Sequence, residues 1–141
     1  MTLLVLYQLL YPLVALAALA RVAGAGRWGA FREGWTDLAE RLGRPDWRGK
    51  GRPVWVHAAS VGEVLLAAPL VQALQRRGLG VALSTVTLAG REVARRLLPD
   101  ARPFLLPLDH PLPVRRALRR VRAQALVLVE TELWPELLAS A

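Results

Sequence analysis

The stretch 53–63, Pro-Val-Trp-Val-His-Ala-Ala-Ser-Val-Gly-Glu, joins a predicted buried strand to the start of a helix. Its first half is a short apolar run rich in Val and Trp, which is typical of a strand covered on both faces. Small residues then lead to Glu63, where a helix-forming sequence begins. Small residues allow a ligand to come close to the backbone, and a helix start offers free N–H groups. This junction therefore suits a polar or anionic ligand, with one carboxylate in place to move a proton.

Downstream of this stretch, strands and helices alternate along the chain. We predict strands at 54–58, 81–85, 104–106 and 125–129, and helices at 63–77, 89–98, 114–121 and 133–140. Strands that are continuous apolar runs between helices are typical of a parallel sheet with helices on both faces. In the helix over 89–98, the spacing predicts that Val93 and Leu97 face the core and that Arg91 faces outward. The predicted fold class is α/β, with a Rossmann-like parallel sheet.

An apolar segment precedes this domain. Residues 3–20 carry no charge, and Gln8 is the one strongly polar residue among them. A bilayer-spanning helix needs about 20 apolar residues, and Pro12 would kink this slightly shorter run, so a spanning helix and an interfacial helix both fit. A cleaved signal peptide is disfavoured because no positive charge precedes the run. We expect a membrane-anchor helix over 1–22 and a basic connector over 23–52, with a short helix at 31–42.

Composition excludes several kinds of site. The chain has 141 residues, a net charge of +8 and no cysteine, so a disulfide framework, a thiolate metal site and a cysteine nucleophile are excluded. Two histidines, His57 and His110, are too few for a convincing zinc site. Phosphate-loop and dinucleotide fingerprints are missing, and Ser60 lacks a nucleophile elbow. The net positive charge suits an anionic membrane surface at least as well as nucleic acid, because no aromatic residues alternate with the basic residues to stack on bases.

Three predicted strand ends carry polar side chains, at 57–63, 84–87 and 130–134. The carboxyl ends of parallel strands lie at one edge of a sheet, where ligands bind in open α/β folds. Five side chains could therefore converge there: Glu63, Thr85, Thr87, Glu130 and Glu132.

Several of these residues also have a purely structural explanation. Glu63 could be an ordinary acidic residue in a first helical turn, and Glu130 or Thr131 could be a helix N-cap. His57 is by default a buried, hydrogen-bonded strand residue. A basic helix adds a further ambiguity, since its arginines form either a solvated face or a contact for phosphate or anionic lipid. These arginines are Arg115, Arg116, Arg119, Arg120 and Arg122.

Two longer motifs carry a family resemblance. Trp-Val-His-Ala-Ala-Ser-Val-Gly-Glu at 55–63 and Glu-Thr-Glu-Leu-Trp-Pro at 130–135 resemble the N-terminal half of the bacterial 3-deoxy-D-manno-octulosonic acid (Kdo) transferases. Thr-Val-Thr at 85–87, Gly90 and Pro-Leu-Asp at 107–109 lie between them in the order that the family shows. The resemblance covers essentially the whole chain. Two departures, Thr-Leu-Ala-Gly at 87–90 and Glu136 in place of Asn, affect expected acceptor contacts rather than the fold.

The resemblance implies a two-domain GT-B glycosyltransferase on the cytoplasmic face of the inner membrane. Such enzymes transfer Kdo from CMP-Kdo to a lipid A precursor during lipopolysaccharide core biosynthesis, with inversion and with no metal or other cofactor. Glu63 matches the family's proposed general base. The residues expected on the acceptor side are Ser60, Gly62, Thr85, Thr87, Glu130 and Glu132.

The same resemblance implies that a C-terminal domain holds the donor. We therefore expect residues 53–141 to be an acceptor-binding domain that is incomplete as an enzyme by itself. Two alternatives stay open: a membrane-tethered module that binds an anionic lipid or sugar phosphate without chemistry, and a truncated gene product.

Overall fold

A four-stranded parallel sheet with helices on both faces forms the body of the computed structural model, which describes residues 5–11, 13, 38–49, 51–130 and 133–141. The strands are β1 (Val54–His57), β2 (Val81–Thr85), β3 (Phe104–Leu105) and β4 (Ala125–Leu128), in the order β3-β2-β1-β4. The helices are α1 (Leu38–Arg41), α2 (Val61–Arg76), α3 (Leu88–Leu97), α4 (Pro111–Val121) and α5 (Pro135–Ser140), with a 3-10 turn at Pro99–Ala101. The predicted α/β class and all four predicted strands are confirmed.

β1 lies between two hydrophobic cores, one on each face of the sheet. Val54 and Val56 pack with apolar residues of α2 and α3 on one face of the sheet. Trp55 packs with Trp47 and with apolar residues of α4 and α5 on the other face. All four residues of β1 are buried, because successive side chains point to opposite faces and both faces are covered. β1 pairs in parallel with β2 on one side and with β4 on the other, so the loops that follow these strands leave from one edge.

Helix α2 is bounded by an N-cap serine and a glycine after its C-cap. Ser60 is its N-cap, and its hydroxyl accepts a hydrogen bond from the backbone N–H of Glu63 at 3.5 Å. Gly78, at φ +77°, follows the C-cap Arg77 and ends the helix, since glycine enters the left-handed region without a steric penalty. The predicted helix over 63–77 is thus confirmed with a slightly earlier start.

The segment 38–49 packs against the sheet domain. Gly43 has φ +79°, and a Cβ atom there would lie 2.0 Å from the carbonyl oxygen of Pro113, so this close approach of α1 and α4 requires glycine. Trp47 is 9% exposed and belongs to the second core. The helix predicted over 31–42 is confirmed where it is described, at Leu38–Arg41, and its earlier residues lie outside the described residues.

Two predictions for the faces of α3, those for Arg91 and Leu97, are wrong. Arg91 is buried rather than outward-facing, and its guanidinium forms a salt bridge of 2.8 Å with Glu40. The same carboxylate oxygen of Glu40 accepts a hydrogen bond from the backbone N–H of Leu105 at 2.7 Å. Leu97, predicted to face the core, is 47% exposed. The Arg91–Glu40 pair joins residues 51 positions apart, so the spacing within one helix could not reveal it.

Residues 5–11 are helical and lie against the starts of α4 and α5. The Tyr7 hydroxyl donates to Oδ2 of Asp109 at 2.8 Å, and Nε2 of Gln8 donates to Oε2 of Glu136 at 2.7 Å. The Tyr11 hydroxyl accepts from the backbone N–H of Asp109 at 3.3 Å. Within the part of the chain that the structure describes, no helix has the length and apolar character needed to cross a membrane. The predicted kink at residue 12 lies outside the described residues.

Candidate active site

The strand order puts the candidate residues beside a topological switch point. β2 and β3 follow β1 in one direction across the sheet, whereas β4 lies on the opposite side of β1. In open parallel sheets, ligands bind outside the carboxyl ends of the strands at such a point. The loop after β1 leads through Ser60 to Glu63, and the loop after β4 begins with Val129 and Glu130. These two loops therefore flank the position where a ligand is expected.

Glu63 is held by reciprocal hydrogen bonds at the start of α2. Its Oε1 accepts from the Ser60 hydroxyl at 2.8 Å, and its Oε2 accepts from the backbone N–H of Ala59 at 2.8 Å. Together with the bond from the Glu63 N–H to Ser60, this is a variant of the capping box, in which the carboxylate accepts from the N–H of Ala59, one residue before the N-cap. Glu63 is 8% exposed. Each carboxylate oxygen retains a further lone pair, so the carboxylate is fixed in place and can still accept a proton.

Thr87 and Gly90 bring the second loop against the first. The carbonyl oxygen of Ala59 accepts from the N–H groups of Val86 and Thr87 at 2.9 and 3.1 Å. The hydroxyl of Thr87 caps α3 by accepting from the N–H of Gly90 at 3.0 Å. A Cβ atom at residue 90 would lie 2.9 Å from this hydroxyl and 3.3 Å from the carbonyl carbon of Ser60. Glycine at 90 therefore permits the contact between the two loops.

Thr85 and Gly62 differ in their access to solvent. Thr85 is fully buried, and its hydroxyl donates to the carbonyl oxygen of Thr87 at 3.2 Å, so it supports the loop from below. Gly62 is exposed, and the nearest atom to a Cβ placed there would be Oγ of Ser60, 4.0 Å away. The described packing does not require glycine at 62. This open position lies one residue before Glu63, where a ligand can approach the helix start.

The loop after β4 is described only in part. Glu130 is exposed and has φ +67°, in the left-handed region that non-glycine residues seldom adopt. Backbone strain of this kind is concentrated at functional sites. Among the described residues, no hydrogen-bond or ion-pair partner contacts the Glu130 side chain. Glu132 and Thr131 lie outside the described residues, so a shared site with Glu63 stays a prediction for Glu132.

His57 is a buried strand residue, as its default interpretation predicts. Its Nδ1 lies 2.9 Å from Oγ of Ser84, and that hydroxyl accepts from Nε1 of Trp55 at 2.8 Å. The imidazole also packs edge-on against Trp134, with ring centroids 5.8 Å apart. Burial lowers the pKa of His57 to about 4, and the backbone of Ser84 and the Glu63 carboxylate only partly oppose this. His57 is therefore neutral at pH 7 and packs β1 against the loop after β4.

Asp109 and Arg41 organise this edge in ways that the sequence analysis missed. Asp109 is 1% exposed, and its carboxylate accepts from the N–H groups of Glu136 and Leu137 at 3.1 and 2.9 Å. It therefore caps α5 from the loop after β3. The guanidinium of Arg41 donates to the carbonyl oxygens that follow β2 and β3, at Val86 and Leu106. The Pro-Leu-Asp motif marked Asp109 as a residue of interest, but its partners lie 27 and 28 positions away.

The chemistry available at this edge is that of carboxylates and hydroxyls. Among the described residues, no group of three or more His, Asp or Glu side chains is arranged to hold a metal ion. The structure brings Ser60, Glu63 and Thr87 together, since Glu63 and Thr87 both bond to the backbone of Ala59 and Glu63 also accepts from the Ser60 hydroxyl. A fixed carboxylate beside an open helix start can accept a proton from a hydroxyl group of a bound molecule.

Comparison with known proteins finds similarity to an enzyme family. A family model described as 3-Deoxy-D-manno-octulosonic-acid transferase (kdotransferase) matches residues 36–141. The 3-deoxy-D-manno-octulosonic acid transferase of Bordetella pertussis is 42% identical over 131 residues, which cover 86% of this chain and 29% of that protein. The protein of the same name from Haemophilus influenzae is 39% identical over 88 residues, covering 60% and 21%.

A plant protein shows the same similarity. The probable 3-deoxy-D-manno-octulosonic acid transferase, mitochondrial, of Arabidopsis thaliana is 33% identical over 121 residues, covering 82% of this chain and 27% of that protein. The chain thus spans less than a third of the length of each of these relatives.

Proposed function

This chain belongs to the 3-deoxy-D-manno-octulosonic-acid transferase family, and we propose that it forms the acceptor-binding part of an inverting Kdo glycosyltransferase. In the proposed reaction, Kdo passes from CMP-Kdo to a hydroxyl group of a lipid A precursor. A GT-B arrangement follows from this proposal, with a second Rossmann-like domain that holds CMP-Kdo. The four-stranded parallel sheet, with polar side chains at one edge, supports the assignment.

The observation that carries the proposal is the position of Glu63. Its carboxylate is 8% exposed and is fixed by two hydrogen bonds of 2.8 Å at the start of a helix. As the acceptor oxygen forms its bond to the anomeric carbon, the bond to CMP breaks and CMP leaves with the electron pair. The hydroxyl proton moves to the Glu63 carboxylate. A positioned general base of this kind contributes about 10²–10⁴-fold to the rate.

The acceptor is proposed to lie over the loops that surround Glu63. Gly62 provides an open approach to the helix start, and Thr87 and Glu130 lie on the flanking loops. Ser60 orients the carboxylate through its hydroxyl. Thr85 supports Thr87 from beneath, and Glu132 is proposed to join the acceptor side from the loop after β4.

A location on the cytoplasmic face of the inner membrane is part of the same proposal. Polar side chains of residues 5–11 form hydrogen bonds with Asp109 and Glu136. Four apolar side chains of the same segment have exposed fractions of 48–68%. These apolar side chains are Val5, Leu6, Leu9 and Leu10. An exposed apolar face on a docked helix is a property of segments that lie in a membrane interface. A lipid acceptor would then be presented next to the candidate site.

A chimera tests the proposed base. Residues 1–141 are joined to the remainder of the Bordetella pertussis relative, and Kdo transfer from CMP-Kdo to a lipid A precursor is measured. We expect Glu63→Gln to lower kcat by about 10²–10⁴-fold. The amide preserves the capping geometry, because its oxygen accepts from Ala59 and its NH₂ group donates to Ser60, but it cannot take up the proton.

Glu92→Gln is the matched control, because Glu92 is exposed on α3 and, among the described residues, forms an ion pair only with Arg96. The control should leave kcat unchanged. A Glu63→Gln chimera that keeps kcat within about threefold of the parent would contradict the general-base role, since a positioned base contributes at least about 10²-fold.

A further inference from the structure

Helix α4 carries an arginine face that the proposed reaction does not use. Leu112, Arg116, Arg119 and Arg120 recur at spacings of four, three and one residues, which places them on one side of a helix. With Gly43 and Arg44 they line a single groove of about 450 Å³. The sequence of α4 contains four arginines and no acidic residue. Four of the six lining residues are arginines, so the groove is cationic, with Leu112 as its one large apolar side chain.

These arginines lack carboxylate partners among the residues that the structure describes. Nε of Arg119 donates to the carbonyl oxygen of Arg115 at 3.3 Å, and Nε of Arg120 donates to that of Pro45 at 2.6 Å. Each guanidinium retains further N–H donors. Asp46 interacts electrostatically with Arg120, but its salt bridge of 2.8 Å is with Arg48. The like charges of the face repel one another, and a bound anion would relieve that repulsion.

A second groove extends the cationic surface. It has a volume of about 400 Å³ and is lined by Arg52, Arg120 and Arg122 together with Trp47. Because Arg120 lines both grooves, the two grooves adjoin at this residue. A surface of this extent fits several phosphate groups side by side better than a single small anion.

The position of this surface favours a membrane over free phosphate as its ligand. α4 begins two residues after Asp109, which binds Tyr7 of the N-terminal helical segment. Leu112 is 52% exposed and lies in the groove near that end, while Leu6 and Leu9 of the segment are 53% and 68% exposed. Exposed apolar side chains thus lie in the N-terminal segment and at the start of α4, and the arginines lie further along α4. A membrane leaflet presents the same sequence of environments, from acyl chains to phosphate headgroups.

We propose that the arginine face of α4 binds the phosphate groups of anionic phospholipids and forms a second membrane contact beside residues 5–11. This inference rests on the membrane location in the proposed function. Arginine suits the role because its guanidinium binds phosphate oxygens through two parallel hydrogen bonds. The contact would hold the domain in a fixed orientation on the membrane, with the carboxyl edge of the sheet next to residues 5–11.

Vesicle flotation of the full chain tests this inference. Binding is compared on vesicles of phosphatidylcholine alone and on vesicles that also contain phosphatidylglycerol. We expect the parent chain to prefer the anionic vesicles. The double variant R116Q/R119Q should lower the partition coefficient on anionic vesicles by about 10- to 30-fold. The double variant R76Q/R77Q removes the same charge from the exposed end of α2 and should keep the preference.

Three outcomes overturn the inference. If R116Q/R119Q keeps the preference, or if both double variants lose it equally, the face of α4 is not a specific contact. If inorganic phosphate abolishes the preference while chloride of equal ionic strength does not, the face binds free phosphate instead of lipid. A parent chain that binds anionic vesicles but not neutral ones would refute the anchor role of residues 5–11 and still support the arginine face.

Discussion

Replacing Asp109 with alanine removes one buried carboxylate that accepts three side-chain or backbone hydrogen bonds. Oδ1 accepts from the N–H of Leu137 at 2.9 Å, and Oδ2 accepts from the N–H of Glu136 at 3.1 Å and from the Tyr7 hydroxyl at 2.8 Å. A hydrogen bond to a charged group contributes about 1.5–3 kcal/mol, and a lost helix cap costs about 1 kcal/mol. Because these contributions are not additive, we expect D109A to lower the free energy of unfolding by about 3–5 kcal/mol.

Two further variants divide this loss between its parts. D109N keeps the shape of the side chain but has one acceptor oxygen, so its NH₂ group must face either the Glu136 or the Leu137 N–H. We expect a loss of about 1–3 kcal/mol from the backbone donor that is left unpaired. Y7F removes only the hydroxyl that contacts Oδ2, and about 0.5–1.5 kcal/mol should be lost.

Urea unfolding of the chain, followed by tryptophan fluorescence, provides the measurement. The ranking D109A, D109N, Y7F from largest to smallest loss is expected, with an unchanged m value. A D109A loss below about 1 kcal/mol, or one equal to that of Y7F, would show that Asp109 does not hold the start of α5. Such a loss would leave no contribution from the two hydrogen bonds between Asp109 and the N–H groups of α5.

Two other predictions concern the same edge of the sheet. In the chimera, G62A should raise the free energy of unfolding by about 0.5–1 kcal/mol, because alanine favours the helix, and it should raise KM for the lipid acceptor. G90A should instead lower the free energy of unfolding by about 1–3 kcal/mol, because its Cβ meets Thr87 and Ser60. Equal effects at both positions would contradict the described packing. His57 has a pKa of about 4 in the fold against 6.5 when unfolded, so its contribution to stability is complete above pH 6.5 and is lost as the pH falls toward 4, by about 3 kcal/mol. Urea unfolding at a series of pH values should show that this slope is reduced in H57Q and retained in H110Q, and a slope unchanged in H57Q would refute the buried, neutral imidazole.

The elements of the fold could be predicted because each one has a local signal. β1 and β2 are apolar runs that are buried on both faces, and Gly78 marks the end of α2 by its backbone conformation. The site loops followed from one rule, that parallel strands end at the same edge of a sheet. The cap at Ser60 was not predicted, although Ser and Glu three residues apart are the local signature of a capping box.

The missed features all depend on contacts between distant parts of the chain. The burial of Arg91 depends on Glu40, and the role of Asp109 depends on backbone N–H groups of α5. Within α3, an arginine with a buried partner has the same spacing as one that points to solvent. Pairing of this kind is decided by tertiary packing, which periodicity within one helix does not report.

The docking of residues 5–11 also has a consequence for biosynthesis. The partner of Tyr7 is 102 residues further along the chain, and that of Gln8 is 128 residues further. At about 5–20 residues per second, a ribosome needs about 5–25 s to synthesise that interval. The apolar segment therefore leaves the ribosome well before either polar partner exists. During this time the apolar segment is accessible to chaperones, a targeting factor or lipid. Any of these can therefore bind the segment before its own domain does.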